Sequence, residues 1–320
     1  MKKLFRLVFP LLLILSICGC TSLAISAEEY FSIGMAYFNL GRYEEAERWL
    51  NRARQADRTM VASTYNLGRL AFERQRYEEA ADHFEEILGR DGDNTIALRA
   101  AAYTRIRMGD FEIAERHYSR LLQLVPESAD DGYNHALVLY AMERYEQAEQ
   151  TLARYPIAVQ ENRNVMLLYA RSQSSQNKVE AIDSYAAYLN LNSDARARYE
   201  YALVLEHHEL YARALEELRG AISETSATAS NPARHDIRFA IARVLLIADS
   251  ESSEGITEME TAVRDGFNDT EAIEELINSG RLSASNQSSL RSIVNNLHHS
   301  AEEDDEPEET SEDDSESGSQ

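Results

Sequence analysis

The chain has 320 residues, of which 27% are charged, and its formal net charge at pH 7 is −23. Such an acidic surface repels phosphate backbones, which argues against nucleic-acid binding. It also repels anionic lipid headgroups, so we do not expect the surface as a whole to hold a membrane. Both cysteines lie in the first twenty residues. The remainder therefore contains no disulfide framework.

The chain begins with a segment typical of a signal peptide. Lys2, Lys3 and Arg6 precede an apolar run over residues 7–17. That run is too short for a comfortable membrane span, and the positive start fits a secretory leader. We therefore predict that residues 1–19 are a cleaved signal peptide and lie outside the fold.

The sequence Ile-Cys-Gly-Cys that ends at Cys20 resembles the bacterial lipobox. The resemblance implies that Cys20 is acylated, with palmitate among its chains, and that residues 20–26 form a short tether. Thr21 follows in place of the Asp of an inner-membrane retention signal. The expected location is therefore the outer membrane, facing the periplasm. An ordinary secretory signal with two incidental cysteines is the alternative.

From Ala27 onward, four columns of similar residues recur every 34 residues. In order they hold a small residue, an aromatic, a second small residue and a large apolar one. This period is typical of stacked helix–turn–helix units, because one hairpin alone cannot cover its apolar face. The columns are Gly34, Gly68, Ala102, Ala136 and Ala170; Tyr43, Tyr77, Phe111 and Tyr145; Ala46, Ala80, Ala114 and Ala148; and Leu50, Phe84, Tyr118 and Leu152.

These columns resemble the tetratricopeptide repeat (TPR) family. The resemblance implies an all-α, right-handed solenoid of stacked antiparallel helix pairs, with six repeats over residues 27–222. Small residues let the paired helices approach closely, and a glycine ends the first helix in a left-handed conformation. The matching residues are Gly34, Tyr37, Gly41, Tyr43, Ala46, Leu50 and Ala53 in the first copy and Pro126 in the third.

The later part of the chain departs from the period. In the fifth pair, Ala181, Tyr185 and Tyr188 stand one residue early, which predicts a shortened turn near residues 174–178. Residues 223–300 are predicted to form a degenerate repeat and polar capping helices. The predicted helices span 234–248, 252–264, 270–278 and 286–298. Residues 301–320 carry eleven acids and no base, which predicts a disordered tail.

No catalytic or cofactor pattern is present in the sequence. Glycine-rich phosphate loops, G-x-S-x-G and H-E-x-x-H are all missing. His207 and His208 are adjacent, so they face different sides of a helix and cannot chelate one metal ion. We therefore predict a protein that is not an enzyme and has no cofactor or metal.

The first helix of each TPR pair lines the concave groove, and here that stripe is aromatic. Aromatic side chains bury much area at low entropic cost and are frequent in binding hot spots. Asn66 and Asn134 are expected to hydrogen-bond the backbone of an extended peptide. The alternative is that several rings pack between helices as core. The predicted partner-binding residues are Phe31, Phe38, Tyr65, Asn66, Arg69, Phe72, Arg99, Tyr103, Tyr133, Asn134 and Tyr140.

Arg99, Asn134 and Arg163 partly resemble the arrangement with which some TPR proteins clamp a partner's C-terminal carboxylate. Other positions of that arrangement hold Phe31, Met35 and Tyr103 here, which do not fit. A carboxylate clamp is therefore a second, weaker hypothesis for the groove.

Together these features predict a scaffold or adaptor lipoprotein of the bacterial cell envelope. It would bind envelope proteins through the concave groove and the membrane through acyl chains on Cys20. The alternative is a ligand-binding accessory lipoprotein of a solute transporter, in which the groove holds a small hydrophobic molecule.

Overall fold

The computed structural model describes residues 25–225 and 231–304, with side chains up to residue 299. Within these ranges all regular secondary structure is α-helical. The chain divides into two compact units, Met1–Tyr155 and Pro156–Gln320. The signal peptide, Cys20 and most of the acidic tail lie outside the described residues.

The first unit consists of four helix hairpins. Each hairpin packs on the next, so α2 contacts α3, α4 contacts α5 and α6 contacts α7. The repeated small and large apolar residues form the buried clusters between them. The helices are α1 (Ala27–Asn39), α2 (Tyr43–Ala56), α3 (Val61–Glu73), α4 (Tyr77–Leu88), α5 (Thr95–Met108), α6 (Phe111–Leu124), α7 (Ala129–Ala141) and α8 (Tyr145–Ala153).

The second unit begins with a short helix that the repeat pattern did not predict. Pro156 starts this helix, where its missing N–H is not needed. Two apolar clusters form the core of the unit, one in its first half and one beneath the last helices. The helices are α9 (Pro156–Glu161), α10 (Arg163–Ser174), α11 (Ala181–Leu191), α12 (Ala195–His207), α13 (Tyr211–Glu224), α14 (Arg234–Ala248), α15 (Ser253–Arg264), α16 (Thr270–Asn278) and α17 (Ala284–Asp304).

Glycine at the small-residue column is needed for close approach between paired helices. A Cβ on Gly34 would lie 2.9 Å from Leu50 Cγ, and one on Gly68 would lie 2.7 Å from Phe84 Cε1. Both distances are below van der Waals contact. The close approach of paired helices that the small residues predicted is therefore seen. The large residues, which we expected between successive hairpins, lie against these glycines within the same hairpin.

In each of the first five hairpins, the turn between the helices contains one residue in the left-handed conformation. Gly41 has φ +70° and Gly109 has φ +81°. At the same repeat position, Gln75, Glu143 and Asn177 have φ +60°, +58° and +55°. The predicted role of Gly41 at the end of α1 is thus seen in the structure, and other residue types accept the same conformation in later repeats.

Replacing Gly109 with alanine should lower the free energy of unfolding by about 1 kcal/mol, because a Cβ is strained at positive φ. Gly89 provides a matched control. It also ends a helix, but with φ −65°, so Gly89→Ala should leave stability unchanged or raise it slightly. Urea unfolding monitored by circular dichroism measures both variants. If both variants lost the same free energy of unfolding, the left-handed conformation of Gly109 would not be the cause of the loss.

The irregularity of the fifth hairpin lies after its turn, not within it. Asn177 keeps the left-handed position, 136 residues after Gly41. The chain then tightens, because Ala181 N–H donates to Lys178 O (3.2 Å) and Ile182 N–H donates to Val179 O (3.0 Å). These are bonds of the 3₁₀ type, which advance the chain in fewer residues. The prediction of a shortened turn at residues 174–178 was therefore wrong in position.

The helices predicted after residue 223 lie within a few residues of their predicted bounds. The last one differs most, because α17 starts at Ala284 and continues to Asp304. Disorder was predicted from Ala301, yet residues 301–304 are helical. The sequence Ala-Glu-Glu-Asp contains no helix breaker, and the first proline is Pro307. The assignment of residues 223–300 as repeat and cap stays a prediction.

Candidate partner-binding site

A cavity of about 290 Å³ lies between α3 and α5, the first helices of the second and third hairpins. It is therefore on the side of the first unit where the sequence predicted the groove. Five predicted residues line it: Tyr65, Arg69, Phe72, Arg99 and Tyr103. The other lining residues are Glu73, Phe84, Ile96, Ala100 and Thr104.

Helical spacing brings these side chains together. On α3, Tyr65, Arg69 and Phe72 are separated by four and three residues, so they form one stripe. On α5, Arg99 and Tyr103 are four residues apart and form the facing stripe. The two helices thus present aromatic and basic side chains to one another across an open space. We call this space, with its ten lining residues, the α3–α5 cavity.

The rings of the cavity are partly packed and partly free. The Phe72 ring lies 5.4 Å from Tyr103 and 5.3 Å from Tyr77, centroid to centroid. The Tyr65 ring lies 5.6 Å from Phe84, whose side chain is buried. Tyr103 keeps 46% of its surface exposed. The inner rings are therefore packed, as the core alternative predicts, while Tyr103 offers a face to solvent.

Arg69 is the cation of the cavity that has no acidic partner among the described residues. Its Nη1 donates to Asn66 Oδ1 at 3.1 Å, and its guanidinium lies 5.0 Å from the Phe38 ring centroid. These contacts fix its position without neutralising it. A carboxylate of a bound molecule would therefore find an oriented guanidinium here.

Asn66 does not have the role that we predicted for it. Its side chain is buried, and Nδ2 donates to Ala62 O at 2.8 Å while Oδ1 accepts from Arg69. Its donor and acceptor are therefore engaged within the protein. Asn66 holds Arg69 instead of bonding a peptide backbone. The sequence places Asn66 on the correct helix, but it stands one residue away from the stripe.

Arg99 is neutralised by a buried acid. Its Nε donates to Asp131 Oδ1 at 2.7 Å and its Nη2 donates to Oδ2 at 2.6 Å, while Asp131 is 1% exposed. Burial raises the pKa of the Asp131 carboxyl, but hydrogen bonds from Arg99 and Ser128 and the Arg99 charge outweigh it and hold the pKa below its usual value. Arg99 therefore joins α5 to α7.

The carboxylate-clamp hypothesis is wrong for both of its basic residues. Arg99 is paired with Asp131, and Arg163 donates to Asp194 Oδ2 at 3.0 Å and to Tyr188 Oη at 2.8 Å. A clamp needs cations that are free to receive a carboxylate. The sequence shows each arginine, but not the acid that lies about one repeat further along the chain.

The other predicted residues lie outside the α3–α5 cavity. Phe31 and Phe38 pack against the buried cluster of the first two hairpins. Tyr133, Asn134 and Tyr140 are partly buried on α7, where the Tyr140 ring lies 5.0 Å from Tyr145. The binding role of these five residues stays a prediction.

Sequence reasoning missed two side chains of this site. Ile96 is 57% exposed and lines the cavity one helical turn before Arg99. Glu73 lines it one turn after Arg69, as the acidic member. Both stand at the three- or four-residue spacing from predicted residues, so extending the stripe by one turn would have found them.

No metal-binding cluster of histidine, cysteine, aspartate or glutamate occurs among the described residues. In the same part of the chain, no helix combines the length and apolar character needed to cross a membrane.

The model of one protein family matches residues 31–95 and 99–163, and its description reads "Tetratricopeptide repeat". These residues belong to the tetratricopeptide-repeat family. A TPR protein from Parabacteroides merdae has a similar structure, with a TM-score of 0.53 and 20% identity over 78% of this chain and 96% of its own. At that identity, the likeness shows the TPR fold alone.

Two further proteins are similar to parts of this chain. YrrB, titled "a TPR protein with an unusual peptide-binding site", aligns with a TM-score of 0.50 and 20% identity, over 55% of this chain and 92% of its own. An "Uncharacterized lipoprotein" of Treponema pallidum (strain Nichols) is 26% identical over 142 residues. These cover 44% of this chain and 72% of that lipoprotein.

Proposed function

We propose that the α3–α5 cavity binds a peptide segment of another envelope protein. The chain would then act as a scaffold or adaptor that is held in the envelope through acylated Cys20. The observation that carries this proposal is the arrangement of Tyr103, Phe72 and Arg69, in which an exposed ring, a packed ring and an unneutralised guanidinium face one space.

The chemistry of the cavity specifies the kind of segment that fits. A volume of about 290 Å³ accommodates one bulky apolar side chain against the Phe72 and Tyr103 rings. Arg69 then suits an acidic side chain of the same segment. We expect a sequence in which an aromatic or large aliphatic residue stands close to an Asp or Glu.

The envelope location rests on two observations. The residues before Cys20 resemble a lipobox, and the Treponema pallidum relative is described as a lipoprotein. Acyl chains on a cysteine would supply firm attachment, since more than one chain is needed for stable anchoring. The outer membrane, with the protein facing the periplasm, is the location that we propose.

The solute-transport alternative fits the cavity less well. Small-molecule sites usually enclose most of their ligand in roughly 300–1,000 Å³. The α3–α5 cavity lies just below this range, and its rim residues Ile96 and Tyr103 are exposed. An extended chain that leaves the cavity at both ends suits this shape better than an enclosed solute.

Peptide display against the full chain tests the proposal. We expect selected peptides to share the apolar and acidic pair. Tyr103→Ala should weaken their binding roughly 30-fold, as for a typical hot-spot ring. Arg69→Ala should weaken it roughly 10-fold or more, through loss of a charge-assisted hydrogen bond. Titration calorimetry measures both changes.

Leu40→Ala is the matched control, because Leu40 is 72% exposed in the first unit and does not line the cavity. It should leave peptide affinity unchanged. Peptides that bind the Tyr103→Ala and Arg69→Ala variants as well as the original chain would show that the cavity is not the binding site.

A further inference from the structure

In the first hairpin, some side chains are partly exposed although the residues at the same positions of later hairpins are buried. Tyr30 corresponds to Leu98 in the third repeat, and Ile33 corresponds to Leu67 and Ala101 in the second and third. The three later residues are at most 3% exposed, whereas Tyr30 and Ile33 are only partly buried. In a TPR stack these positions lie against the preceding hairpin.

Trp49 on α2 occupies a second position of this kind. Its equivalents are His83 and His117, which stand 34 and 68 residues later. His83 Nδ1 lies 3.4 Å from Arg54 Nη1, and His117 Nε2 lies 3.0 Å from Glu85 Oε1. Each histidine thus contacts a helix of the hairpin before its own. Trp49 stands at the same repeat position, and among the described residues no hairpin precedes its own.

These residues form one aromatic surface, which we call the N-terminal edge. Its rings are stacked, since Tyr30 and Trp49 lie 5.8 Å apart at an interplanar angle of 29°. Arg52 lies over the Trp49 ring at 4.6 Å from its centroid. The edge consists of Tyr30, Ile33, Arg48, Trp49 and Arg52.

The N-terminal edge is also basic in an otherwise acidic protein. Arg48 and Arg52 are exposed and stand one helical turn apart on α2. Arg48 interacts with the charge of Glu45, three residues before it, whereas Arg52 has no acidic partner within the described residues. By contrast, the equivalent Arg120 of the third repeat pairs with Asp93. Solenoid ends are ordinarily capped by polar surface. An aromatic end that carries two exposed arginines therefore suits contact with a surface other than water.

We propose that the N-terminal edge rests on the anionic lipid surface to which Cys20 is anchored. Tyrosine and tryptophan favour the headgroup region of a bilayer, and arginine is attracted to its anionic phosphates. Cys20 stands seven residues before Ala27, so the tether spans at most about 25 Å. This inference rests on the lipid anchor of the proposed function and adds the orientation in which the anchor holds the chain.

The orientation has a consequence for the α3–α5 cavity. The hairpin of α1 and α2 would touch the lipid, and the cavity begins with the next hairpin. Packed helices lie about 8–10 Å apart, so the cavity would open roughly 10–20 Å from the membrane surface. A partner segment close to the same membrane could then reach it.

The chain offers a direct experiment. Cys18 belongs to the leader, so a chain that starts at Cys20 has a single thiol, and Trp49 is its single tryptophan. The thiol can be coupled to a maleimide lipid in vesicles of phosphatidylcholine and phosphatidylglycerol. We expect Trp49 emission to shift to shorter wavelength, to be quenched by brominated acyl chains, and to be protected from acrylamide.

The arginines have controls at equivalent repeat positions. The double substitution Arg48→Ala and Arg52→Ala should lower the equilibrium constant for docking of the edge on these anionic vesicles roughly 30-fold. Arg116 and Arg154 are exposed and stand at the same repeat positions, 68 and 102 residues later. Arg116→Ala with Arg154→Ala changes the net charge equally and should leave the Trp49 signal unchanged.

Trp49 that stays accessible to acrylamide after coupling would overturn the proposal. So would equal loss of protection in both double variants. Protection that appears without lipid as protein concentration rises would identify a second copy as the occupant and also overturn it. Chemical coupling replaces acylation, so none of these outcomes tests whether Cys20 is acylated in cells. That question is answered separately by mass spectrometry of the native protein.

Discussion

Replacing Arg99 with methionine should lower the free energy of unfolding by about 3 kcal/mol, because it leaves a buried carboxylate without its cation. Asp131 is 1% exposed, and both of its oxygens accept hydrogen bonds from Arg99. Methionine retains much of the apolar stem of arginine, so the loss reports the ion pair and not a cavity. Urea unfolding at neutral pH is the measurement.

Arg120→Met is the control for this prediction. Arg120 pairs with Asp93, and the two side chains are 45% and 54% exposed. An exposed pair contributes about 0–1 kcal/mol, so Arg120→Met should be nearly neutral. Equal losses in the two variants would show that burial of Asp131 does not decide the cost.

The pH dependence of Arg99→Met follows from the same ion pair. The pKa of Asp131 lies below its unfolded value in the original chain. Its stabilising contribution is therefore present above the unfolded pKa, about 4, and is lost as pH falls through the folded pKa. In Arg99→Met burial is no longer opposed by the arginine, so the gap between the two proteins should narrow on acidification.

Gly132→Ala should lower the free energy of unfolding by about 2–3 kcal/mol, because a Cβ at this position would overlap the Tyr155 ring. Tyr155 lies across Gly132 and donates from its hydroxyl to Pro126 O at 3.0 Å. The ring cannot retreat without losing that hydrogen bond. Thermal unfolding of the first unit measures the effect.

Gly92→Ala is the control, because a Cβ there meets nothing closer than Leu88 O at 3.7 Å. A second substitution, Tyr155→Leu, removes the ring that overlaps the new methyl group. In the double variant the loss should be smaller than the sum of the two single losses, since the residues are in contact. Strict additivity would contradict the steric explanation.

The repeat pattern predicted what depends on local sequence. Gly41 and its equivalents set the turns, and the small column at Gly34 and Gly68 set the close approach of paired helices. These features repeat because the two helices of each hairpin pack against one another in the same way. They therefore appear as columns that one sequence is sufficient to show.

What the sequence did not predict are pairings between repeats. Asp131 looks like a first-turn acid of α7, and nothing local indicates that it accepts from Arg99. Gly132 stands where other repeats hold a larger residue, and its partner Tyr155 comes from the end of the hairpin. Asn66 appeared free because its hydrogen bonds depend on side-chain geometry. Such contacts are set by three-dimensional packing and not by spacing.

The aromatic stripe illustrates the same limit. Phe38 and Tyr103 occupy comparable faces of first helices, and the sequence treats them alike. Phe38 packs against the buried cluster of the first two hairpins, whereas Tyr103 keeps 46% of its surface exposed beside an open space. The difference in exposure arises from the neighbouring side chains, and the repeat period of the sequence does not predict which side chains those are.

The most direct measurement of the central claim is photo-crosslinking from the cavity in the native envelope. A benzophenone side chain replaces Tyr103 in the full chain, and a second protein carries it in place of Leu191, which is 69% exposed in the other unit. Crosslinked peptides are then sequenced by mass spectrometry. The account predicts that position 103 captures one recurring partner segment with a bulky apolar residue beside an acid, and that Arg69→Ala reduces its yield. Capture from position 103 that is no different from capture at position 191 would contradict it.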